Sequence, residues 1–414
     1  MAGLSQTAAA PQDNDRNSAA GLDWLNFFVA NLQTAFGPFI AVYLTQRAWT
    51  QADIGLILGV GYIASMASQV PAGMLVDAMP RKTLAAGIAI VAIIAGALIL
   101  AFAPTKLPVI LAEASHGFAS CMLGPAIAAI SLALAGLTPG AAGERLGRNA
   151  RFASIGNGVA AGLMALVGDY LGARYVFLLG AVLAGPGLLA LRRIRVAAQP
   201  RQKTTPAAAA PRADILRLVT DRRLLGFAAA AAAFTLANAA MLPIAAAVAT
   251  ASLGNDASLV IGACIVGPQI VVALLSPAAG RIAEQRGRRP VLIAGIVVVP
   301  MRALILCAIA TPASFSVWVL LAAQLLDGVS GAAFGVLTPL VASDITRNSG
   351  RFNLCMGCLG LAIGAAAAGS TFIGGAIADR SPPLAFLALA GAGLVGTLLA
   401  VLMPETKKEE RVLF

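Results

Sequence analysis

Apolar runs long enough to cross a bilayer recur along the chain from Leu22 to Met403, each ended by a cluster of Gly, Pro or charged residues. Twelve are predicted. The first six start near Leu22, Ala52, Thr83, Leu107, Arg151 and Arg174, and the second six near Arg223, Ala257, Pro290, Ser314, Phe352 and Pro383. At about 1.5 Å per helical residue, runs of about 20–28 residues cross ~30 Å of hydrocarbon with some tilt. The pattern predicts an all-α polytopic membrane protein with twelve transmembrane helices in two six-helix bundles, residues 22–194 and 222–404. Residues 195–221 are expected to be a linker. Residues 1–21 and 405–414 are expected to be tails, the first of them disordered, because it lacks the charged start, apolar core and cleavage site of a signal peptide.

Composition agrees with the pattern. The chain is 59% hydrophobic and only 11% charged, with mean hydropathy +0.86, too little charge to cover a soluble surface. The net charge of +11 does not point to nucleic acid, because the basic residues lie between apolar runs. One set of loops holds Arg81, Lys82, Arg145, Arg148, Arg151, the linker arginines, Arg286, Arg288, Arg289, Arg347, Arg351, Lys407 and Lys408; the other holds Arg47, Lys106, Arg174 and Arg380. The positive-inside rule then places both termini and the linker in the cytoplasm, with the chain in the inner (plasma) membrane. The five cysteines fall inside apolar runs, and Cys355 and Cys358, although spaced C-x-x-C, read as small packing residues and not as a metal pair. No cofactor or metal is expected.

The two halves repeat one signature. Gly73, Asp77, Arg81 and Lys82 return as Gly280, Glu284, Arg288 and Arg289, each set at the basic end of an apolar run. Gly117 likewise matches Gly328, and Arg151-Phe152 matches Arg351-Phe352. These residues resemble the G-x-L-x-D-R-x-G-R-K signature of the major facilitator superfamily, over essentially the whole chain. The first copy departs from it at Ala78 and Pro80, the second at Glu284 and Gln285. The resemblance implies two bundles that rock about a central site. It makes Gly73, Asp77, Arg81, Lys82, Gly280, Glu284, Arg288 and Arg289 a cytoplasmic gate, in which a carboxylate pairs with basic residues and caps a neighbouring helix. Span 5, with Gly156, Gly158, Gly162 and Gly168, is similar to the glycine series of proton-driven exporters but lacks its proline.

Ionisable groups at membrane depth are costly and are therefore functional candidates. They are Glu113 and His116 in span 4, Arg302 in span 9 and Asp327 in span 10. Glu113 and His116 share a helical face, so the pair reads either as a proton relay or as a satisfied structural pair. Arg302 and Asp327 read either as an ion pair fixing spans 9 and 10 or as a proton or substrate site. Spans 1, 4, 7 and 10 line the cavity in the family's fold, which makes Asn31, Gln33, Asn238, Gln324 and Phe234 cavity candidates. No nucleotide-binding loop or nucleophile elbow occurs in the sequence, so no enzyme activity is expected and transport would draw on an ion gradient. The reading is a monomeric, proton-coupled exporter of a small organic or drug-like compound, with the lipid bilayer, protons and that solute as partners. The alternatives are a symporter importing a metabolite or organic anion, with Arg302 as countercharge, and a membrane sensor or interaction protein without transport.

Overall fold

The computed structural model describes residues 10–34, 51–136, 140–196, 220–253, 257–347 and 349–407, with Phe36, Ile40, Tyr43, Leu44, Arg47 and Trp49. Most of the expected linker and the end of the C-terminal tail lie outside these residues, as does the side chain of Gln33. Among the described residues there are thirteen helices: α1 (Ala10–Thr34), α2 (Gln51–Ala78), α3 (Lys82–Phe102), α4 (Lys106–Ala135), α5 (Ala141–Tyr170), α6 (Ala173–Arg193), α7 (Arg222–Asn238), α8 (Met241–Leu253), α9 (Ala257–Arg286), α10 (Arg288–Ala308), α11 (Val317–Thr346), α12 (Phe352–Ala378) and α13 (Pro382–Leu402). The last twelve form spans 2 to 12, with α7 and α8 as two halves of span 7. From α3 onward, ten spans are long and apolar enough to cross a membrane; α1 and α2 bring the total to twelve.

Two starts differ from expectation. Helix α5 begins at Ala141, well before Arg151, because its charged first turns are neutralised by neighbours. Arg145 and Arg148 both pair with the buried carboxylate of Asp23 on α1, Arg148 at 2.6 Å. Helix α1 begins at Ala10, inside the stretch expected to be a disordered tail, and Ser18 Oγ accepts the N–H of Arg195 at the end of α6, 3.1 Å away. Span 7 is broken for a local reason. Pro243 has no N–H to give the Ala239 carbonyl and its ring crowds that oxygen, so the helix turns at Ala239–Ala240 and restarts.

The six spans of each half pack mainly on one another, and the halves meet through α2 against α12 and α5 against α9. Both contacts are tightest at the end that carries the basic loops. A Cβ on Gly73 would run into the Asn353 carbonyl, one on Gly357 into Gln69, one on Gly147 into Ser276 and one on Gly280 into the Gly143 carbonyl. Further along the same helices, Gly158 and Gly162 of α5, Gly262 of α9 and Gly375 of α12 have nothing within 4 Å. The two bundles therefore close at the basic end and part toward the far end, leaving a cleft between them.

Candidate functional site

The repeated signature builds two helix caps across the bundle interface. Helix α12 has no side-chain cap of its own, so its first N–H groups need an acceptor from elsewhere. Asp77 at the end of α2 supplies it. Its Oδ1 accepts the Asn353 N–H at 3.1 Å and the Asn353 side-chain amide at 2.6 Å, and its Oδ2 accepts the Leu354 N–H at 2.9 Å. Helix α5 also lacks a side-chain cap, and Glu284 at the end of α9 accepts the Gly143 N–H at 3.0 Å. Gly73 and Gly280 lie one turn before the acids, where a side chain would strike backbone and hold the helices apart.

The basic members of the two copies act differently. Lys82 donates to the Val76, Asp77 and Met79 carbonyls and so closes the end of α2, while Arg81 is exposed. Arg288 is buried. It pairs with Glu284 at 3.2 Å and with Asp344 at 3.0 Å, and donates to the Ala283 carbonyl. Arg289 contributes its backbone N–H to Glu405, which also accepts the Arg288 N–H and caps α10. Gly287 makes this possible: its φ is 93°, and a Cβ there would meet the Glu405 carboxylate at 2.5 Å. In the first copy the chain passes Pro80 with Arg81 in extended backbone, so no left-handed residue is needed.

Deeper in the second bundle, four of the sequence candidates converge. Arg302 of α10 gives Nη1 to Asp327 at 2.7 Å and to Asn238 Oδ1 at 2.6 Å, and Nη2 to Gln324 Oε1. Asn238 Nδ2 returns a bond to Asp327 Oδ1 at 2.9 Å. Arg302 is 2% exposed while the Asp327 side chain is 32% exposed, so the pair is open only on its acid side. Asp327, Gly331 and Gly335 lie along one stripe of α11, and Gly335 approaches Ala150 of α5 in the other bundle. Gly331, between them, lies against Val272 of α9, and Asp327 stands about 12 Å along the helix from the point where the bundles meet. Phe234, one turn from Asn238, stacks on Phe334 with ring centroids 4.0 Å apart.

The first bundle repeats the stripe with different chemistry. His116, Ser120 and Gly124 of α4 correspond to Asp327, Gly331 and Gly335 of α11. Glu113 and His116 share a face but are not a hydrogen-bonded pair. The His116 ring stacks on Phe36 at 4.0 Å and its Nε2 meets Ser120 Oγ at 3.2 Å. Glu113 is buried, lies against the bare backbone of Gly61, and leaves Oε1 without a hydrogen-bond partner. Asn31 is fully buried, donates to the Phe27 carbonyl of its own helix at 2.7 Å and leaves its Oδ1 without a hydrogen-bond partner. Asp23, Asp344 and Glu405 were not singled out from the sequence. Acids at the basic ends of spans, among arginines, were the available signal.

Comparison with known proteins agrees with this architecture. Residues 22–250 and 228–413 match the profile of the Major Facilitator Superfamily. An uncharacterised MFS-type transporter of Mycobacterium tuberculosis, present in two strains, is 33% identical over 406 residues, covering 94% of this chain and 93% of the relative. The transporter FucP in its outward conformation superposes with a TM-score of 0.73 at 17% identity, over 94% of this chain and 98% of that one. The nucleoside transporter NupG gives 0.65 at 15% identity, over 93% and 99%. The human organic anion transporter MFSD10 gives 0.71 at 14% identity, over 93% and 99%. At such identities the solved structures show a shared fold.

Proposed function

Because the chain belongs to the Major Facilitator Superfamily, whose members are transporters and not enzymes, we propose that it exports a small organic or drug-like solute in exchange for protons, with Asp327 as the proton acceptor. The carrying observation is the one-sided exposure of the Asp327–Arg302 pair. A carboxylate open to the cleft can exchange a proton with the aqueous side, and the buried Arg302 is its countercharge. On this reading the basic end is cytoplasmic in the inner membrane, and the Asp77 and Glu284 caps hold the cytoplasmic gate shut while the cleft opens outward in a monomer. The glycine series of α5 is in keeping with export: Gly156 and Gly168 pack on Phe27 and Val176, while Gly158 and Gly162 have no neighbour in this conformation. The countercharge role of Arg302 in an organic-anion importer has less support, because Asp327, Asn238 and Gln324 already occupy both of its terminal nitrogens.

Untargeted metabolite comparison of knockout and overexpressing cells supplies the test solute. In proteoliposomes, an imposed pH gradient should then drive its flux, and Asp327→Asn should abolish that flux while solute counterflow persists. Gradient-driven flux that survives Asp327→Asn and His116→Ala together sinks the proton-site reading. Growth failure on one nutrient in the knockout, with uptake into right-side-out vesicles, reverses the direction.

A further inference from the structure

Asn238 ends α7 one residue before the break in span 7, and its side-chain amide touches both members of the buried pair. Helix α8, on the other side of the break, buries Met241, Ile244, Ala245 and Ala249 in the core of the second bundle and leaves one side against a cavity. That cavity, of about 360 Å³, lies between the Ala240, Ile244 and Ala247 face of α8 and Thr371 and Gly375 of α12, and a far smaller one lies beside Val248, Leu306 and Phe386. The turn itself is steadied by the Ala240 N–H, which donates to Ser370 Oγ at 3.0 Å.

We propose that Asn238 is a positioning residue that ties the protonation state of Asp327 to the orientation of α8. The inference rests on the Asp327 reading above and adds the route by which it moves the helix. With Asp327 ionised, Arg302 and the Asn238 amide share one carboxylate oxygen, and Asn238 is held from both sides. A neutral Asp327 is a weaker acceptor for both bonds, so Arg302 Nη1 leans more on the Asn238 carbonyl oxygen that it already meets at 2.6 Å, and the Asn238 amide loses its hold on the acid. The pull falls on the residue next to the pivot, and along the groove between α8 and α12 no packing among the described residues opposes a movement of α8. The charged or titratable groups facing Asp327 are Arg302 from α10 and, beyond it, the Cys264 thiol of α9. Helices α5 and α12 carry no Asp, Glu, Arg, Lys or His along Phe152–Gly168 and Phe352–Ala378, and α7 brings only Asn238 to this depth.

The test is a double-mutant cycle read by amide hydrogen exchange of residues 241–253 in the full-length protein, with Asp327→Asn standing in for the protonated acid. In the parent background Asp327→Asn should change exchange along α8 about fivefold or more. In Asn238→Ala the same substitution should change it less than about twofold, and Asn238→Gln, which keeps the amide, should recover part of the response. Unchanged protection of α4 shows that each variant is folded. Equal responses in the parent and Asn238→Ala backgrounds overturn the inference, as does an α8 that does not respond in the parent. Persistence of pH-driven flux in Asp327→Asn overturns the Asp327 reading instead, whatever α8 does.

Discussion

The Asp77 carboxylate of α2 caps the first turn of α12 by taking both the backbone N–H and the side-chain amide of Asn353, across the boundary between the two halves of the molecule. The cap can exist only while the halves are together at the basic end. On the proposed gate reading this helix cap serves as a conformational latch, and the Glu284–Gly143 bond is its counterpart on the other side. Asp77→Asn removes the charge and replaces one acceptor oxygen with a donor that faces backbone N–H groups. We expect a loss of about 1–2 kcal/mol from the closed-gate state, a five- to thirtyfold shift toward opening at the basic end. Distance measurements between spin labels placed on α2 and α12 read this directly. A distribution identical to that of the parent protein would count against the latch.

The glycines that precede the acids serve the same closure by having no side chain. Gly280→Ala places a methyl group against the Gly143 carbonyl, which is backbone and cannot step aside as a flexible side chain would. The expected cost is about 1–3 kcal/mol, borne by the closed state. Gly158→Ala, on the same interface but where the bundles have parted, should stay within about 0.5 kcal/mol. Thermal unfolding of the two variants in one detergent separates them; equal losses would mean that the bundles meet over a longer stretch.

The spans and the duplicated signature were legible because both are one-dimensional: hydropathy repeats at span length, and Gly73–Lys82 can be laid over Gly280–Arg289. The partners were not. Asn353 was visible as a polar residue opening span 11, but nothing in its neighbourhood says that Asp77 lies beside it. The first turns of α5 were lost for the same reason, since Arg145 and Arg148 look like a loop until Asp23 arrives from α1. Arg302 and Asp327 were readable as a pair of opposite charges on adjacent spans. That Asn238 and Gln324 complete the same network depends on how α7, α10 and α11 pack, which no local pattern encodes. Glu113 and His116 show the converse: helical spacing put them on one face, and packing gave each different neighbours.

The Asp327–Arg302 pair allows stability and coupling to be separated. Asp327→Asn leaves Arg302 buried with neutral partners, and breaking such a pair costs about 3–5 kcal/mol. The exposure of Asp327 places this pair toward the lower end. Replacing both, as Asp327→Asn with Arg302→Met, removes the uncompensated charge and should recover most of the lost stability without restoring pH-driven flux. Melting temperature and proteoliposome flux, taken on the same preparations, check both halves. If the double variant stays as unstable as Asp327→Asn alone, Arg302 has a role in the packing beyond neutralising its partner.

Glu405 gives a pH dependence outside the membrane spans. Burial works to raise its carboxyl, but bonds from the Arg288, Lys407, Arg289 and Thr406 N–H groups together outweigh it and hold the group below the ordinary glutamate range. A folded-state value below the unfolded one means that docking of Glu405–Lys407 contributes its full stability above the unfolded value of about 4.3. That contribution is lost as pH falls through the folded value, because the protonated acid no longer caps α10. Glu405→Gln removes the titration. The melting-temperature gap between parent and Glu405→Gln should therefore be constant from neutral pH down to about pH 5 and narrow as pH falls below the unfolded value of about 4.3 toward the lower folded one. The same docking draws Lys407 onto the Glu284 carbonyl and Thr406 Oγ1 to Asp344, at the foot of the second latch. Glu405→Gln should accordingly loosen the α5–α9 contact while leaving the α2–α12 contact as it was. Spin-label distances across the two interfaces would show this, and equal loosening at both would mean that the tail acts on the whole bundle and not on the Glu284 latch.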